Sequence, residues 1–88
     1  MKEKEFEKIF KALGNKRRIV IVKYLRDGRP KNVGSIAEKL KLSFRSTSRH
    51  LAVLYSAGIL EREQKLLQVF YNISVDLPKP IKELISSS

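Results

Sequence analysis

The stretch Ser43-Phe-Arg-Ser-Thr-Ser-Arg-His-Leu-Ala-Val-Leu-Tyr-Ser-Ala-Gly58 decides how the rest of this chain reads. Wound at about 100° per residue, Phe44 to Ala57 places Thr47, Leu51, Leu54 and Gly58 on one face, flanked by Phe44 and Tyr55. The opposite face presents Arg45, Ser46, Arg49, Val53 and Ser56. Ser43 is the natural N-cap of this helix and Gly58 its stop. No carboxylate occurs from Lys39 to Gly58. A helix that only shields a core mixes signs on its outer face, and this one is polar and basic in its N-terminal half. Short polar and arginine side chains on a helix suit a DNA major groove about 12 Å wide.

Just upstream, Val33, Ile36, Ala37 and Leu40 recur at helical spacing. That helix starts at Asn32, or three residues later at Ser35, which forms a capping box with Glu38. Lys41-Leu42-Ser43 is then a short turn between two helices. Lys16 to Arg26 is ambiguous locally, because Ile19-Val20-Ile21-Val22 is β-branched and reads as a buried strand. Its length, the Asn15 cap and the Asp27-Gly28 stop favour a helix, apolar all round and therefore central in a small bundle. Gly28-Arg29-Pro30 is a turn. Before it, Phe6, Ile9, Phe10 and Leu13 form one apolar stripe at i, i+3, i+4 and i+7, and Gly14-Asn15 breaks that helix.

Downstream, Ile59 to Ser74 reads as a hairpin: Ile59 to Glu63, a tip near Gln64-Lys65-Leu66, then Gln68 to Ile73. The tip contains no Gly, Asn or Asp, the residues that two-residue hairpin turns favour. Ile81, Leu84 and Ile85 mark a short helix at most, and Ser86-Ser87-Ser88 a frayed end. The order of elements predicts a mostly α domain with a small β-hairpin, a winged helix-turn-helix spanning 1–88 with its core at about 6–74. It comprises a three-helix core plus wing, an N-terminal dimerisation helix and a short C-terminal helix. The stripe Phe6, Ile9, Phe10 and Leu13 exceeds what one protomer's core needs. With Ile81, Leu84 and Ile85 it predicts a two-fold homodimer interface.

Composition narrows the function. The 88 residues hold 19 Lys+Arg against 9 Asp+Glu, a net charge of +10. Residues 1–27 and 28–57 each carry +5 and residues 58–88 balance to zero, so the excess lies around the paired helices. The plain alternative is that surplus lysine keeps a small protein in solution. There is no cysteine and one histidine, His50. That excludes disulfides, thiolate zinc sites and cysteine nucleophiles, and it leaves too few convergent groups for acid–base catalysis. No apolar run nears the roughly 20 residues of a membrane span, and the N-terminus alternates Lys and Glu without a secretory core. The expectation is a soluble, basic, cytoplasmic domain, not an enzyme, whose partner is a polyanion, foremost nucleic acid.

Each candidate contact has a plain reading beside the functional one. Arg45 and Arg49 are placed to give guanine N7 and O6 a bidentate bond, to touch phosphate, or merely to be solvated. Ser43, Ser46 and Ser48 suit phosphate or bases, or only decorate the helix. His50 flanks the polar face, for a phosphate or base contact or for a structural hydrogen bond. Phe44 packs over the turn or against a thymine methyl. Lys16 and Arg17 stand at a helix start, where the macrodipole disfavours cations, and a bound phosphate reconciles the two. On the hairpin, Arg62, Gln64 and Lys65 are candidates for phosphate or the minor groove.

The runs Phe10-Lys-Ala-Leu-Gly-Asn-Lys-Arg-Arg-Ile, Ile36-Ala-Glu-Lys-Leu, Leu42-Ser, Ser48-Arg-His-Leu, Leu54, Ala57-Gly58-Ile59-Leu60 and Phe70-Tyr71 together resemble the ArsR-type transcriptional repressors. The resemblance covers about residues 6 to 74. It implies a homodimer, paired through its first and last helices, that binds operator DNA and represses. It also makes Arg18 a structural residue. Relatives that sense metals carry ligands before the turn or in the last helix. Here those places hold Val33-Gly34-Ser35-Ile36-Ala37 and a lone Glu83. The reading is a sequence-specific repressor acting as a homodimer on palindromic double-stranded DNA, with no cofactor and no indicated metal or small-molecule inducer. Two alternatives stand beside it: a winged-helix adaptor docking an acidic protein, and a non-specific architectural DNA-binding protein.

Overall fold

The computed structural model describes residues 2–87 and contains five helices and three strands. In chain order they are α1 (Glu3–Leu13), α2 (Lys16–Leu25), β1 (Lys31–Asn32), α3 (Val33–Leu40), α4 (Phe44–Ser56), β2 (Leu60–Lys65), β3 (Gln68–Ile73) and α5 (Lys79–Ser87). The strands form one antiparallel sheet in the order β1-β3-β2. The architecture is the winged helix-turn-helix that the sequence predicts, with α3 and α4 as the paired helices and β2–β3 as the wing.

The β-branched run of α2 is helical, as its caps predict. The Asn15 side chain accepts from the Arg17 and Arg18 N–H groups at 3.0 and 3.2 Å and satisfies two orphan donors of the first turn. Ile21, Val22 and Leu25 are buried. The expectation of a helix apolar all round and central needs correction, because Ile19 and Val20 remain partly exposed on its outer side. At the start of α3 the choice falls to Asn32, whose Oδ1 accepts from the Ser35 N–H at 2.7 Å.

The link from α3 to α4 is a short turn with a cap at each end. Lys41 adopts φ 56°, the left-handed position that commonly ends a helix. Its N–H donates to the Glu38 carbonyl and the Leu42 N–H to the Ala37 carbonyl. Ser43 then caps α4 through its Oγ, which accepts from the Ser46 N–H at 3.0 Å. Thr47, Leu51 and Leu54 point inward and are fully buried with Ile21, Leu25, Ile36 and Ile59. The buried Thr47 hydroxyl donates to the Ser43 carbonyl at 2.9 Å, which removes the cost of its desolvation.

Two expectations about the periphery are corrected. The sheet has a third strand, β1, where the sequence suggests only a hairpin. Lys31 pairs with Tyr71 and Asn32 with Phe70. Two residues carry no readable periodicity, and the pairing arises only once α2 and α3 bring them beside β3. Of the residues expected at a dimer interface, Ile9, Ile81 and Ile85 are buried within a single protomer, while Phe10 and Leu84 are exposed. Helices α1 and α5 each need one apolar edge to dock, and these isoleucines supply it. The last helix is also longer than expected, with Ser86 and Ser87 inside it, while Ser88 lies outside the described residues.

Candidate nucleic-acid interface

Helix α4 sets the site. Over 13 residues it extends about 20 Å. With Thr47, Leu51 and Leu54 fixed in the core, the exposed side must carry Arg45, Ser46 and Arg49, and all three are exposed. Arg45 and Arg49 are one turn apart on the same side. Among the described residues their side chains take no ion-pair or hydrogen-bond partner. Two unpartnered arginines rooted about 6 Å apart along the helix axis match the rise of roughly two base pairs. Ser48 is half-buried at the edge of this face. Ser43 is exposed, but its side-chain oxygen is already engaged as the N-cap.

His50 has a structural partner. Arg18 reaches from α2 with Nη1 3.4 Å from His50 Nδ1. A guanidinium has donors only, so Nδ1 must be the unprotonated acceptor of that bond. Burial, then the charges of Arg18 and Arg17, hold the histidine below its ordinary pKa. Arg18 also donates Nε to the Ala12 carbonyl at 2.6 Å and Nη2 to the Lys11 carbonyl at 3.5 Å. One side chain therefore caps the C-terminus of α1 and rests on α4, which agrees with the structural role that the resemblance implies.

Lys16 and Arg17 are exposed at the start of α2, where they line a shallow hollow with Asn15, Val20, Lys39 and Leu40. Because Asn15 already occupies two N–H groups there, an anion would meet mainly the two cationic side chains. Lys39 belongs to this cluster and was not singled out from sequence. Its signal was the Lys39-Leu40-Lys41 run closing α3, one turn before the cap of α4.

The wing is less cationic than its residue list suggests. The register opposes Arg62 to Tyr71, Gln64 to Val69 and Lys65 to Gln68. Strand alternation puts Leu60, Arg62 and Gln64 on the face toward α4 and Lys65 on the other. Arg62 stacks over the Tyr55 ring of α4 at 4.0 Å, and Tyr71 opposite it on β3 raises its pKa above the ordinary value. Lys65 sits 3.7 Å from Glu63. Gln64 is exposed. Tyr55 is a second residue that sequence reasoning missed as part of the site. Its partner lies seven positions away across a turn, which no local pattern encodes. At the other end of α4, Phe44 is 63 % exposed and lines a hollow of about 260 Å³ with Val33, Gly34, Leu67, Gln68 and Val69.

On the far side of the molecule α1, α2 and α5 leave an open apolar hollow of about 370 Å³, lined by Phe10, Leu13, Ile19, Val22, Leu84 and Ile85. Phe10 and Leu84 are each 55 % exposed at its rim, and Phe6 stacks on Phe10 with ring centroids 6.0 Å apart. Among the described residues no helix is long and apolar enough to cross a membrane.

Comparison with known proteins agrees with this geometry. Residues 15–62, from the cap of α2 into the first strand of the wing, match the family described as bacterial regulatory protein, arsR family. The chain is 34 % identical over 77 residues to the transcriptional activator HlyU of Vibrio cholerae, covering 88 % of this chain and 70 % of that protein. It is 35 % identical over 77 residues to MJ1325 of Methanocaldococcus jannaschii, an uncharacterized HTH-type transcriptional regulator, covering 88 % and 86 %. The structure of Vibrio cholerae HlyU superposes with a TM-score of 0.84 at 29 % identity over 99 % of this chain and 92 % of that one. A homodimeric winged helix-turn-helix domain, Mb0332 of Mycobacterium bovis, superposes with a TM-score of 0.82 at 25 % identity over 96 % and 74 %. With its helix-turn-helix matched in sequence and its whole course matched in structure, the chain belongs to the ArsR family of DNA-binding transcriptional regulators and is not an enzyme.

Proposed function

We propose that this protein is a homodimeric, sequence-specific regulator that sets two copies of α4 into successive major grooves of a palindromic operator about 34 Å apart. The observation that carries the reading is the pair Arg45 and Arg49, exposed, one turn apart and unpartnered on the outer face of α4. In this reading the two arginines, with Ser46, read base edges, and Phe44, Ser48 and His50 are secondary. Lys16, Arg17 and the newly placed Lys39 hold phosphate. Gln64 and Lys65 face the backbone or minor groove. Arg62 supports the wing through Tyr55 and contributes its charge from there.

The second copy is proposed to cover the apolar hollow among α1, α2 and α5. Phe6, Phe10, Leu13 and Leu84 then form the contact, with Ile9, Ile81 and Ile85 behind them as its foundation. Exposed apolar side chains around a hollow are what an isologous interface buries, and the Mycobacterium bovis relative is described as homodimeric. Bound across a promoter in the cytoplasm, such a dimer excludes polymerase and represses. HlyU is named an activator, so operator placement sets the sign of regulation. No metal sensing is proposed: among the described residues no group of three or more His, Cys, Asp or Glu side chains comes together. Selection of bound sequences from random DNA tests the proposal. The expected product is a two-fold symmetric site, bound far more tightly than scrambled DNA. Equal affinity for all sequences would favour the architectural alternative, and no DNA binding at low salt would favour the adaptor.

A further inference from the structure

The wing tip carries two features that are each unfavourable for a hairpin in water. Leu66 and Leu67, the two residues between the paired Lys65 and Gln68, are 95 % and 97 % exposed. Leu66 also adopts φ 56°, in the left-handed region where its Cβ crowds the backbone and where Asn or Gly is at ease. An apolar pair on a strained backbone, at a place where a polar turn would be cheaper, points to a contact made only in a complex. The base of the tip is anchored. β3 is paired on both sides, and Asn32 Nδ2 donates to Gln68 Oε1 at 3.1 Å, tying the tip to the start of α3. Leu67 shares a hollow with Phe44, the first residue of α4, so the tip projects beside the DNA-facing end of that helix.

We infer that Leu66 and Leu67 form an apolar wedge that enters the minor groove next to the major-groove site, partly unstacks one base step and bends the operator. The inference rests on the DNA-binding reading above. It commits to the minor groove because a two-residue tip is narrow enough for a groove about 6 Å wide, and leucine is among the side chains that architectural proteins insert between bases. The charge supports it: the Leu66-Leu67 tip carries no charge of its own to offer a phosphate, while the +10 protein around it holds the duplex in place. The wedge predicts preference for a pyrimidine–purine step, the most easily unstacked, at a position that α4 does not touch.

The test uses the full chain on its selected operator. Circularly permuted fragments report the bend, and aminopurine at the flanking minor-groove step reports unstacking. The informative variant is Leu66→Gly with Leu67→Asn, which puts glycine at the one tip position with positive φ and a polar residue after it, so the hairpin is not weakened. Wild-type protein is expected to bend DNA by at least about 20° and to raise aminopurine emission. The double variant is expected to keep the base preferences read by α4, to lose the bend and the emission, and to bind about tenfold more weakly. Wild-type protein that binds its operator without bending it overturns the wedge and leaves the DNA-binding reading standing. Wild-type protein that binds no duplex overturns both. A double variant that binds and bends like wild type also overturns the wedge, and is the outcome expected if the leucines instead grip a protein.

Discussion

Replacing Arg18 with alanine removes three contacts at once, and their chemistry sets the size of the effect. The guanidinium holds the Ala12 carbonyl at 2.6 Å and the Lys11 carbonyl at 3.5 Å, at the negative end of α1. Charge-assisted bonds of this kind contribute about 1.5–3 kcal/mol each, and the longer Lys11 contact adds little. The Lys11 carbonyl also retains the Gly14 N–H. Ala12 is buried, so its carbonyl loses its partner without gaining full access to water. Arg18 is itself only half-buried, which lowers the estimate. The expected loss is about 2 kcal/mol, or roughly 8–16 °C in Tm for a domain of this size. Arg18→Lys keeps the charge but not the planar fork, and is expected to recover less than half of it. Chemical denaturation at one fixed protomer concentration is the assay, because a homodimer's stability depends on concentration. A second readout is specific to the proposed geometry. With the Arg18 charge gone, the His50 pKa is expected to rise toward the ordinary value in an NMR titration. A variant within about 0.5 kcal/mol of wild type, with His50 titrating unchanged, would refute the assignment of Arg18 as the link between α1 and α4.

Three of the remaining expectations concern the far face and pH. Phe10→Asp with Leu84→Asp is expected to give a folded monomer by sedimentation at micromolar concentration and to lower affinity for a palindromic site by about 100-fold or more, since the half-sites are no longer linked. Ile9→Ala, by contrast, is expected to destabilise the protomer by about 2–5 kcal/mol, because Ile9 is buried in its core. The folded-state pKa of His50 lies below its unfolded value, so the unfolded chain binds more protons near the ordinary histidine value of about 6.5. Its contribution to stability is full above that value and is lost as pH falls through it toward the folded-state pKa. His50→Gln is therefore expected to flatten the fall of Tm below about pH 6.5, and an unchanged slope would contradict it.

Much of this architecture is legible in the chain because short-range chemistry and tertiary packing agree there. The face of α4 follows from Thr47, Leu51 and Leu54 at helical spacing, and all three are buried. The helix at Ile19 to Leu25 follows from Asn15 and Asp27-Gly28 against the local β-propensity, which packing of Ile21, Val22 and Leu25 overrides. What the chain conceals is set by contacts between distant segments. β1 exists only because β3 lies beside it. An apolar stripe such as Phe6, Ile9, Phe10 and Leu13 does not state which of its members face the protomer and which face outward, and only the docking of α1 separates Ile9 from Phe10. Arg62 reads as a free cation until the hairpin folds back on Tyr55. The site residues are legible as a helix face. Their partners, Arg18 for His50 and Tyr55 for Arg62, are not, because each pair joins different elements.

The central claim is that α4 reads base sequence through Arg45 and Arg49. Its most direct test is a salt series on operator and scrambled DNA for Arg45→Ala and Arg49→Ala beside Lys16→Ala and Arg17→Ala. Each α4 variant is predicted to lose about 1–3 kcal/mol per half-site and to relax preference at one symmetric base position. Each α2 variant is predicted to weaken operator and scrambled DNA alike and to reduce the salt slope by about one per lost phosphate contact. If Arg45→Ala and Arg49→Ala both leave operator affinity and base preference at wild-type values, α4 is not the reading element and the account is contradicted.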